Sequence, residues 1–328
     1  MSRSAEDPRV VQQYEDALRV ARMYYHLGLT TTEIARQLGI TRPTVSRLLT
    51  WARSNGVIEY RIHDYQERRL QLELELEAAF GLREVKVVPV QPDAPSDQQS
   101  DAVALFTAHF LTGLIGSSTV LAVAWGATVS KIAGHLTPRP EPGMSVVQLT
   151  GSGNNNAGHG VTDATRTISQ FARNWHGQGY LLPIPAYFDN PATKEAMYEE
   201  RVVRRVKDVA ARADIALFSI GVPNANSYIY RAGYVRDTEL QQLRKNGVVG
   251  DIATVFFRED GTYKDIEMNK RSTGPDLRSL AEHPYSICVV AGRNKVGALF
   301  GALRGGFMNT LIIDEGTAVE LLDSLAAK

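Results

Sequence analysis

At 328 residues the chain exceeds the length at which one hydrophobic core stops growing, so two domains are expected. Its 36 basic and 36 acidic side chains cancel, and the whole-chain balance argues neither for nor against a nucleic-acid partner. A single cysteine excludes an intramolecular disulfide framework and a cysteine zinc cluster; with no apolar run near the roughly 18 residues of a membrane helix and a polar "MSRSAEDPR" start unlike a signal peptide, a cytoplasmic protein with no membrane partner is expected.

The first segment, Pro8 to Gly28, carries Val10, Val11, Tyr14, Leu18, Ala21 and Tyr25 at three- and four-residue steps and predicts an amphipathic helix stopped by Gly28. "TTTEIARQLG" then predicts a helix of barely two turns, capped by Thr31 or Thr32, with Ile34, Ala35 and Leu38 inward and Gly39 as terminator. "ITRPTVSRLLTWARSNG" opens on a Thr41 cap with Pro43 in the first turn, sets Val45, Leu48, Leu49 and Ala52 on one face, and stops at Gly56. A short helix, a turn with glycine and a second helix make a helix-turn-helix, whose second helix reads the major groove with its N-terminal turns.

Charge agrees with that reading. From Ile34 to Arg61 five arginines (36, 42, 47, 53 and 61) stand against one acid, Glu59, and no lysine precedes Lys86. Arginine's planar fork pairs in two-bond fashion with a guanine edge or a phosphate, which lysine cannot do. Thr32, Thr41, Arg42, Pro43, Thr44, Ser46 and Arg47 are therefore the residues expected to lie against double-stranded DNA. "VIEYRIHD" alternates from Val57 as a short hairpin arm, which makes residues 1–64 a winged helix-turn-helix domain. A purely structural helical bundle with a solvated basic face is the alternative.

"QERRLQLELELEAAFGL" follows. Its leucines 70, 72, 74 and 76 alternate as a strand would, yet Leu, Glu, Gln and Ala are helix formers, so residues 65–82 are expected to form a linker helix. Leucines at two-residue steps cover a broad face, one part for the body and the other for a partner subunit. Helix-turn-helix proteins bind two-fold half-sites, so a homo-oligomer is expected.

From Glu84 the pattern changes to short, nearly continuous apolar runs separated by helical stretches: "EVKVVPV", "STVLAVAWG", "SVVQLTG", "GYLLPIP", "ADIALFSIG", "YSICVVAG" and "NTLIIDEG". Strands buried on both faces read this way, so residues 83–328 are expected to form an α/β domain with a mostly parallel sheet. Cys288 falls inside one such run and is expected in the core. "TKEAMYEERVVRRVKDVAARA" is expected as one helical stretch.

Ligands of such sheets bind outside the carboxyl ends of the strands. Four glycine turns are expected there: Gly126, Ala127 and Thr128 at a helix start; Gly151, Ser152, Gly153 and Asn154 after a strand; Gly250 and Asp251; and Gly292 with Lys295. Bare backbone amides at helix starts plus a lysine suit a phosphate group. There is no G-x-x-x-x-G-K-[ST] loop, no dinucleotide fingerprint, no G-x-S-x-G elbow and no paired histidine spacing. No metal and no resident cofactor are expected.

The helix-turn-helix stretch together with "GDIATVFFREDG" and "VVAGRNKVGALFGALRGGFMNTLIIDEGTAVELL" resembles the SorC family (SorC/DeoR group) of sugar-binding bacterial transcriptional regulators, over nearly the whole chain. The last motif has Lys295, Ala302, Leu303, Arg304, Gly305, Gly306, Asp314 and Glu315 in the family's order. The resemblance implies a winged DNA-binding domain, a Rossmann-like effector domain similar to sugar-phosphate isomerases and CoA transferases, dimers or tetramers, and effectors that are phosphorylated sugars or polyols. It carries the glycine-threonine turn onto Gly126, Ala127 and Thr128, the second turn onto Gly151, Ser152, Gly153 and Asn154, the acid onto Asp251 and the phosphate-side lysine onto Lys295. The chain departs from the family at Arg293, where many relatives have glycine, at Thr150, where some have arginine, and in the asparagine-rich turn. The expectation is a regulator of a carbohydrate or polyol catabolic operon that binds operator DNA and senses its effector without turnover. Two other readings are a sugar-phosphate isomerase fused to a DNA-binding domain, with Asp251 as base, and a DNA-binding module whose α/β part serves only for oligomerisation.

Overall fold

The chain divides into two compact units, one ending at Asp64 and one beginning at Tyr65, where the expected linker helix starts. The computed structural model describes residues 8–58, 65–91, 94–152, 164–231 and 233–326. The expected wing lies mostly outside the described residues, as do Gly153 and Asn154.

In the first unit α1 (Pro8–Tyr25), α2 (Thr31–Leu38) and α3 (Arg42–Ser54) close on a core of Val20, Ile34, Val45 and Leu49. The cap of α2 is neither Thr31 nor Thr32 but Thr30, which forms a capping box: Glu33 N–H donates to Thr30 Oγ1 at 3.3 Å, and Thr30 N–H donates to Glu33 Oε2 at 2.8 Å. The carboxylate three residues on satisfies the cap's own amide, which neither Thr31 nor Thr32 has at that spacing. Those hydrogen bonds hold Glu33 below the usual carboxylate range. Gly39 ends the helix in the left-handed region, φ 65°.

The second unit opens with α4 (Tyr65–Phe80) and β1 (Glu84–Val88), followed by α5 (Ser96–Leu114), β2 (Val120–Val123), α6 (Ala127–His135), β3 (Ser145–Gln148), α7 (Ala164–Asn174) and β4 (Gln178–Tyr180). Next come α8 (Pro191–Tyr198), α9 (Arg201–Ala211), β5 (Ile215–Gly221), α10 (Tyr228–Arg231), α11 (Asp237–Lys245) and the hairpin β6 (Val248–Ile252) and β7 (Val255–Arg258). The chain closes with α12 (Leu277–Leu280), β8 (Tyr285–Val290), α13 (Val296–Gly305), β9 (Thr310–Asp314) and α14 (Glu315–Ala326).

Seven strands run parallel in the order β1-β9-β8-β5-β2-β3-β4. Side chains alternate between two cores: Ala216, Phe218, Cys288 and Val290 face one side, while Ile215, Leu217, Ile287 and Val289 face the other. The first core is closed by residues of α4, α9, α13 and α14, the second by α5, α6 and α7, so the sheet is buried on both faces as its apolar runs predict. Cys288 is fully buried, and that burial pushes its thiol up.

Several expected elements are redrawn. The "GYLLPIP" run is a strand only at Gln178–Tyr180, because Pro183 and Pro185 cannot donate to a ladder. "TKEAMYEERVVRRVKDVAARA" is two helices, α8 and α9, with Glu200 as an extended cap between them. Gly250 and Asp251 do not form a turn after a strand. They lie within β6, which pairs antiparallel with the end of β5, Gly221 opposite Asp251.

The linker helix packs onto the second unit through Leu72 and Leu76, leaving Leu70 and Leu74 each 56% exposed. It also covers the edge of the sheet: Glu77 Oε1 accepts from Val85 N–H at 2.9 Å and Glu73 Oε1 from Val87 N–H at 2.8 Å. β1 is the outermost strand on that side, and these carboxylates satisfy amides that no neighbouring strand reaches.

Candidate functional site

In the first unit the residues that could meet a nucleic acid are set by the cap of α3. Thr41 is extended, and its Oγ1 accepts from Thr44 N–H at 3.4 Å, with Pro43 in the opening turn. Val45, Leu49 and Ala52 face the core, which turns Arg42, Pro43, Ser46 and Arg47 to solvent. Thr44 is half-buried and tied into the cap: its hydroxyl lies 2.8 Å from Thr41 Oγ1 and accepts from Arg47 Nη2 at 3.4 Å. Arg47 is thereby held along the helix, whereas Arg42 has no hydrogen bond or ion pair among the described residues. Thr32 is exposed on the first turn of α2. The start of α3 thus presents Thr41, Arg42, Ser46 and Arg47 to solvent, and α3 itself carries no acidic residue.

In the second unit a cavity of about 270 Å³ opens at the carboxyl ends of β2, β5 and β8. It lies where the strand order reverses between β2 and β5, the crevice in which open α/β sheets bind ligands. Of the residues expected at a site it gathers Gly126, Ala127 and Thr128, Asp251 and Lys295. Gly126 caps α6 with φ 144° and no side-chain bond, so the first amides of α6 have no side-chain cap. Lys295 stands at the start of α13 in the same lining, and its ammonium has no hydrogen bond or ion pair among the described residues.

Two charges of opposite sign face this space. Asp251 is 7% exposed; burial pushes its carboxyl up to about 6, opposed by a hydrogen bond from Thr254 N–H and by the charge of Lys295. Burial lowers Lys295, opposed by Cys288 and Asp251. Each group is thus kept charged in part by the other. The position of Asp251 depends on Gly221, which has no side chain to occupy the same space: a Cβ there would stand 2.2 Å from Asp251 Oδ1.

The hairpin tip beside Asp251 takes a backbone form that non-glycine residues rarely adopt. Ala253 and Thr254, the two turn residues, both have positive φ, 46° and 73°. Thr254 Oγ1 lies 3.0 Å from Thr150 Oγ1 and 2.9 Å from Ser272 Oγ, and the Thr254 carbonyl accepts from Tyr187 O–H at 2.5 Å. Thr150 is therefore part of this floor and lines the cavity.

Of the second glycine turn only Gly151 and Ser152 are described. Gly151 and Ser152 are not in the lining, and their amides are already used: Gly151 N–H donates to Thr273 Oγ1 and Ser152 N–H to the Ile184 carbonyl, both at 3.1 Å. Gly151 is required for packing, since a Cβ would stand 2.3 Å from the Ile184 oxygen. Trp125 Nε1 donates to the Gly151 carbonyl at 2.9 Å and so fixes the turn to the cavity wall.

Residues absent from the sequence reading complete the site. Ser219, whose hydroxyl donates to Thr128 Oγ1 at 3.4 Å, lies on β5, and Asn224, Asn226 and Ser227 follow it. Their signal was available, because "ALFSIGVPNANS" is another apolar strand ending in glycine, with a polar loop behind it. Asn294 adds an amide beside Lys295. Among the described residues no group of three metal-ligating side chains occurs, and no helix is long and apolar enough to cross a membrane.

Comparison with known proteins gives the geometry its relatives. Residues 64–323 match the family model described as "Putative sugar-binding domain", and residues 12–59 match a homeodomain-like domain. The chain is 33% identical over 309 residues to the deoxyribonucleoside regulator of Bacillus subtilis strain 168, covering 94% of this chain and 97% of that one. A domain of a possible sugar-binding transcriptional regulator from Arthrobacter aurescens TC1 superposes with a TM-score of 0.72 at 37% identity, covering 80% of this chain and all of that one. The full-length sorbitol operon regulator SorC from Klebsiella pneumoniae superposes with a TM-score of 0.71 at 26% identity, over 95% and 99% of the two chains. With a helix-turn-helix unit followed by a matched sugar-binding domain, the chain belongs to the SorC/DeoR-type family of sugar-binding transcriptional regulators.

Proposed function

We propose that this regulator reads operator DNA with the start of α3 and that its DNA affinity is set by a phosphorylated sugar or polyol held, without turnover, in the cavity at the ends of β2, β5 and β8. The observation that carries the reading is the meeting in one lining of the α6 start at Gly126–Thr128 with Lys295, whose ammonium has no hydrogen bond or ion pair among the described residues. Amides at a helix start and a desolvated ammonium favour a phosphoryl group, while Asp251, Asn224 and Asn226 suit hydroxyls. Relatives named for a sorbitol operon and for deoxyribonucleosides support a carbohydrate-type effector. The protein works in the cytoplasm as a homo-oligomer on two-fold DNA sites, with the exposed Leu70 and Leu74 of α4 offered to a partner subunit, and needs no cofactor.

The effector acts by linkage: it changes DNA affinity only as far as it binds the DNA-competent state differently from the other. A thermal-shift series with sugar and polyol phosphates, run on the wild type and on Lys295→Ala, tests the site. At least one compound raises Tm in the wild type and loses that effect in the variant; a shift retained in Lys295→Ala rejects the lysine's role.

An isomerase reading draws on Asp251, a buried carboxyl near 6 beside a substrate-sized cavity. Among the described residues Asp251 and Lys295 are the only titratable side chains in that lining, and the similar proteins are named as regulators. Turnover of a sugar phosphate by the wild type but not by Asp251→Asn would establish that reading instead.

A further inference from the structure

A continuous set of polar contacts leads away from the Lys295 turn. Gly292, which opens the turn at φ 100°, donates its N–H to Asp314 Oδ2 at 2.9 Å and to Thr317 Oγ1 at 3.1 Å. Asp314 is buried at the end of β9 and also accepts from Thr317 N–H at 3.0 Å and from Thr317 O–H at 2.5 Å, so one carboxylate holds both the turn and the first turn of α14. Arg293, next in the turn, brings its guanidinium within 3.6 Å of where a Gly316 Cβ would stand. Between Asp314 and Gly316 is Glu315, whose Oε1 lies 3.6 Å from Nε of Arg68 in the opening turns of α4.

We propose that Asp314 and Glu315 are positioning residues which join the Lys295 turn to the start of α4, so that filling the effector cavity changes how firmly Arg68 is held on the helix leading from the DNA-binding unit. The inference rests on the effector reading of the cavity and supplies its outlet. A shift of the turn pulls on the Asp314 carboxylate; Asp314 cannot follow without moving the α14 start it caps, and Glu315 moves with that start. The downstream part of α4 is anchored by Leu72, Leu76 and the Glu73 and Glu77 carboxylates that accept from β1 amides. Arg68 lies beyond that anchor, with a side chain 60% exposed, and depends on Glu315 for its ion pair. A buried, multiply bonded end and an exposed, singly bonded end give the path its direction: the effector side is rigid and the linker side is easily released.

Hydrogen exchange on the full chain, with inorganic phosphate as the probe, tests this. In the wild type, phosphate slows exchange in peptides covering 290–297 and also in 65–72, each by roughly twofold or more. In Glu315→Gln the slowing at 290–297 persists and that at 65–72 disappears, and the reversed pair Arg68→Glu with Glu315→Arg restores it. Without phosphate, Arg68→Gln speeds exchange at 290–297 by a similar factor, which a local surface contact would not do. Protection at 290–297 with no change at 65–72 in the wild type overturns the connection and leaves the effector reading standing. If phosphate leaves 290–297 unchanged, the effector reading of Lys295 fails, and the phosphate-free Arg68→Gln comparison alone then decides the connection. Unchanged exchange at 290–297 in Arg68→Gln overturns it.

Discussion

Gly221 and Asp251 face each other across the β5–β6 pairing so closely that a methyl group on Gly221 would lie 2.2 Å from the Asp251 carboxylate. The atom in the way is the tip of a side chain, so Gly221→Ala keeps the fold and turns the carboxyl aside. Destabilisation of about 1–2 kcal/mol is expected by chemical denaturation, in the range of overpacking substitutions. The effector-induced rise in Tm should shrink far more than that loss explains. Unaltered ligand response in a folded Gly221→Ala protein would show that the carboxyl's position is irrelevant to binding.

Asp251 also makes stability depend on pH. Its folded value of about 6 lies above the ordinary 3.8, so the native state holds a proton that the unfolded chain releases between roughly pH 4 and pH 6. The sign follows: this group favours folding below about pH 4, and that contribution is lost as pH rises through 6. Asp251→Asn removes the dependence. Relative to the wild type it gains roughly 2–3 kcal/mol between pH 4 and pH 7, measured by urea denaturation at both values. A constant difference between the two proteins across that window contradicts the assignment.

Arg42 and Arg47 differ in how they are held, and their replacements should differ too. Arg47 is braced by Thr44 and Arg42 has no such brace. Each change to alanine costs about 1–3 kcal/mol if the side chain contacts a base, with sequence preference relaxed; a phosphate contact instead flattens the salt slope by about one. Fluorescence anisotropy with an operator fragment across a salt series separates the two. Equal binding by Arg42→Ala, Arg47→Ala and wild type at every salt concentration excludes α3 as the reading helix.

The role of Thr30 is also readily measured. Thr30→Ala removes the hydroxyl half of the capping box and should destabilise the first unit by about 1 kcal/mol, whereas Thr31→Ala and Thr32→Ala stay within a few tenths. Thermal melts followed by circular dichroism rank the three. A larger loss at Thr31 or Thr32 would move the cap.

The fold was legible because its signals are redundant. Apolar runs buried on both faces specify a parallel sheet whatever their exact limits, and Gly39 with the Thr41–Pro43 start delimits the helix-turn-helix. The placement of candidate residues in one lining was legible where one residue has one task. Gly126–Thr128 and Lys295 stand at helix starts after strands, as their sequence context says. A glycine after a strand has two physical causes, an open amide for a ligand or a backbone too close to allow a Cβ, and the sequence does not separate them; Gly151 shows the second, with its amide bonded to Thr273. Asp251 was found, but as part of a turn; "VVGDIATVFF" has alternation interrupted by Ala253–Thr254 at positive φ, an arrangement local preference argues against in non-glycine residues. The support for it comes from Thr150, Ser272 and Tyr187, distant in sequence.

Glu73 and Glu77 give the linker helix a second consequence. Without them β1 would present the amides of Val85 and Val87 along an open edge, a template on which a strand from another molecule could add. The opposite edge, β4, is only three residues long and recruits poorly for that reason. The helix that leads from the DNA-binding unit therefore also shields an edge of the sheet, and a fragment cut at Leu82 rather than at Tyr65 is expected to aggregate, having lost both that shield and the Leu72 and Leu76 packing.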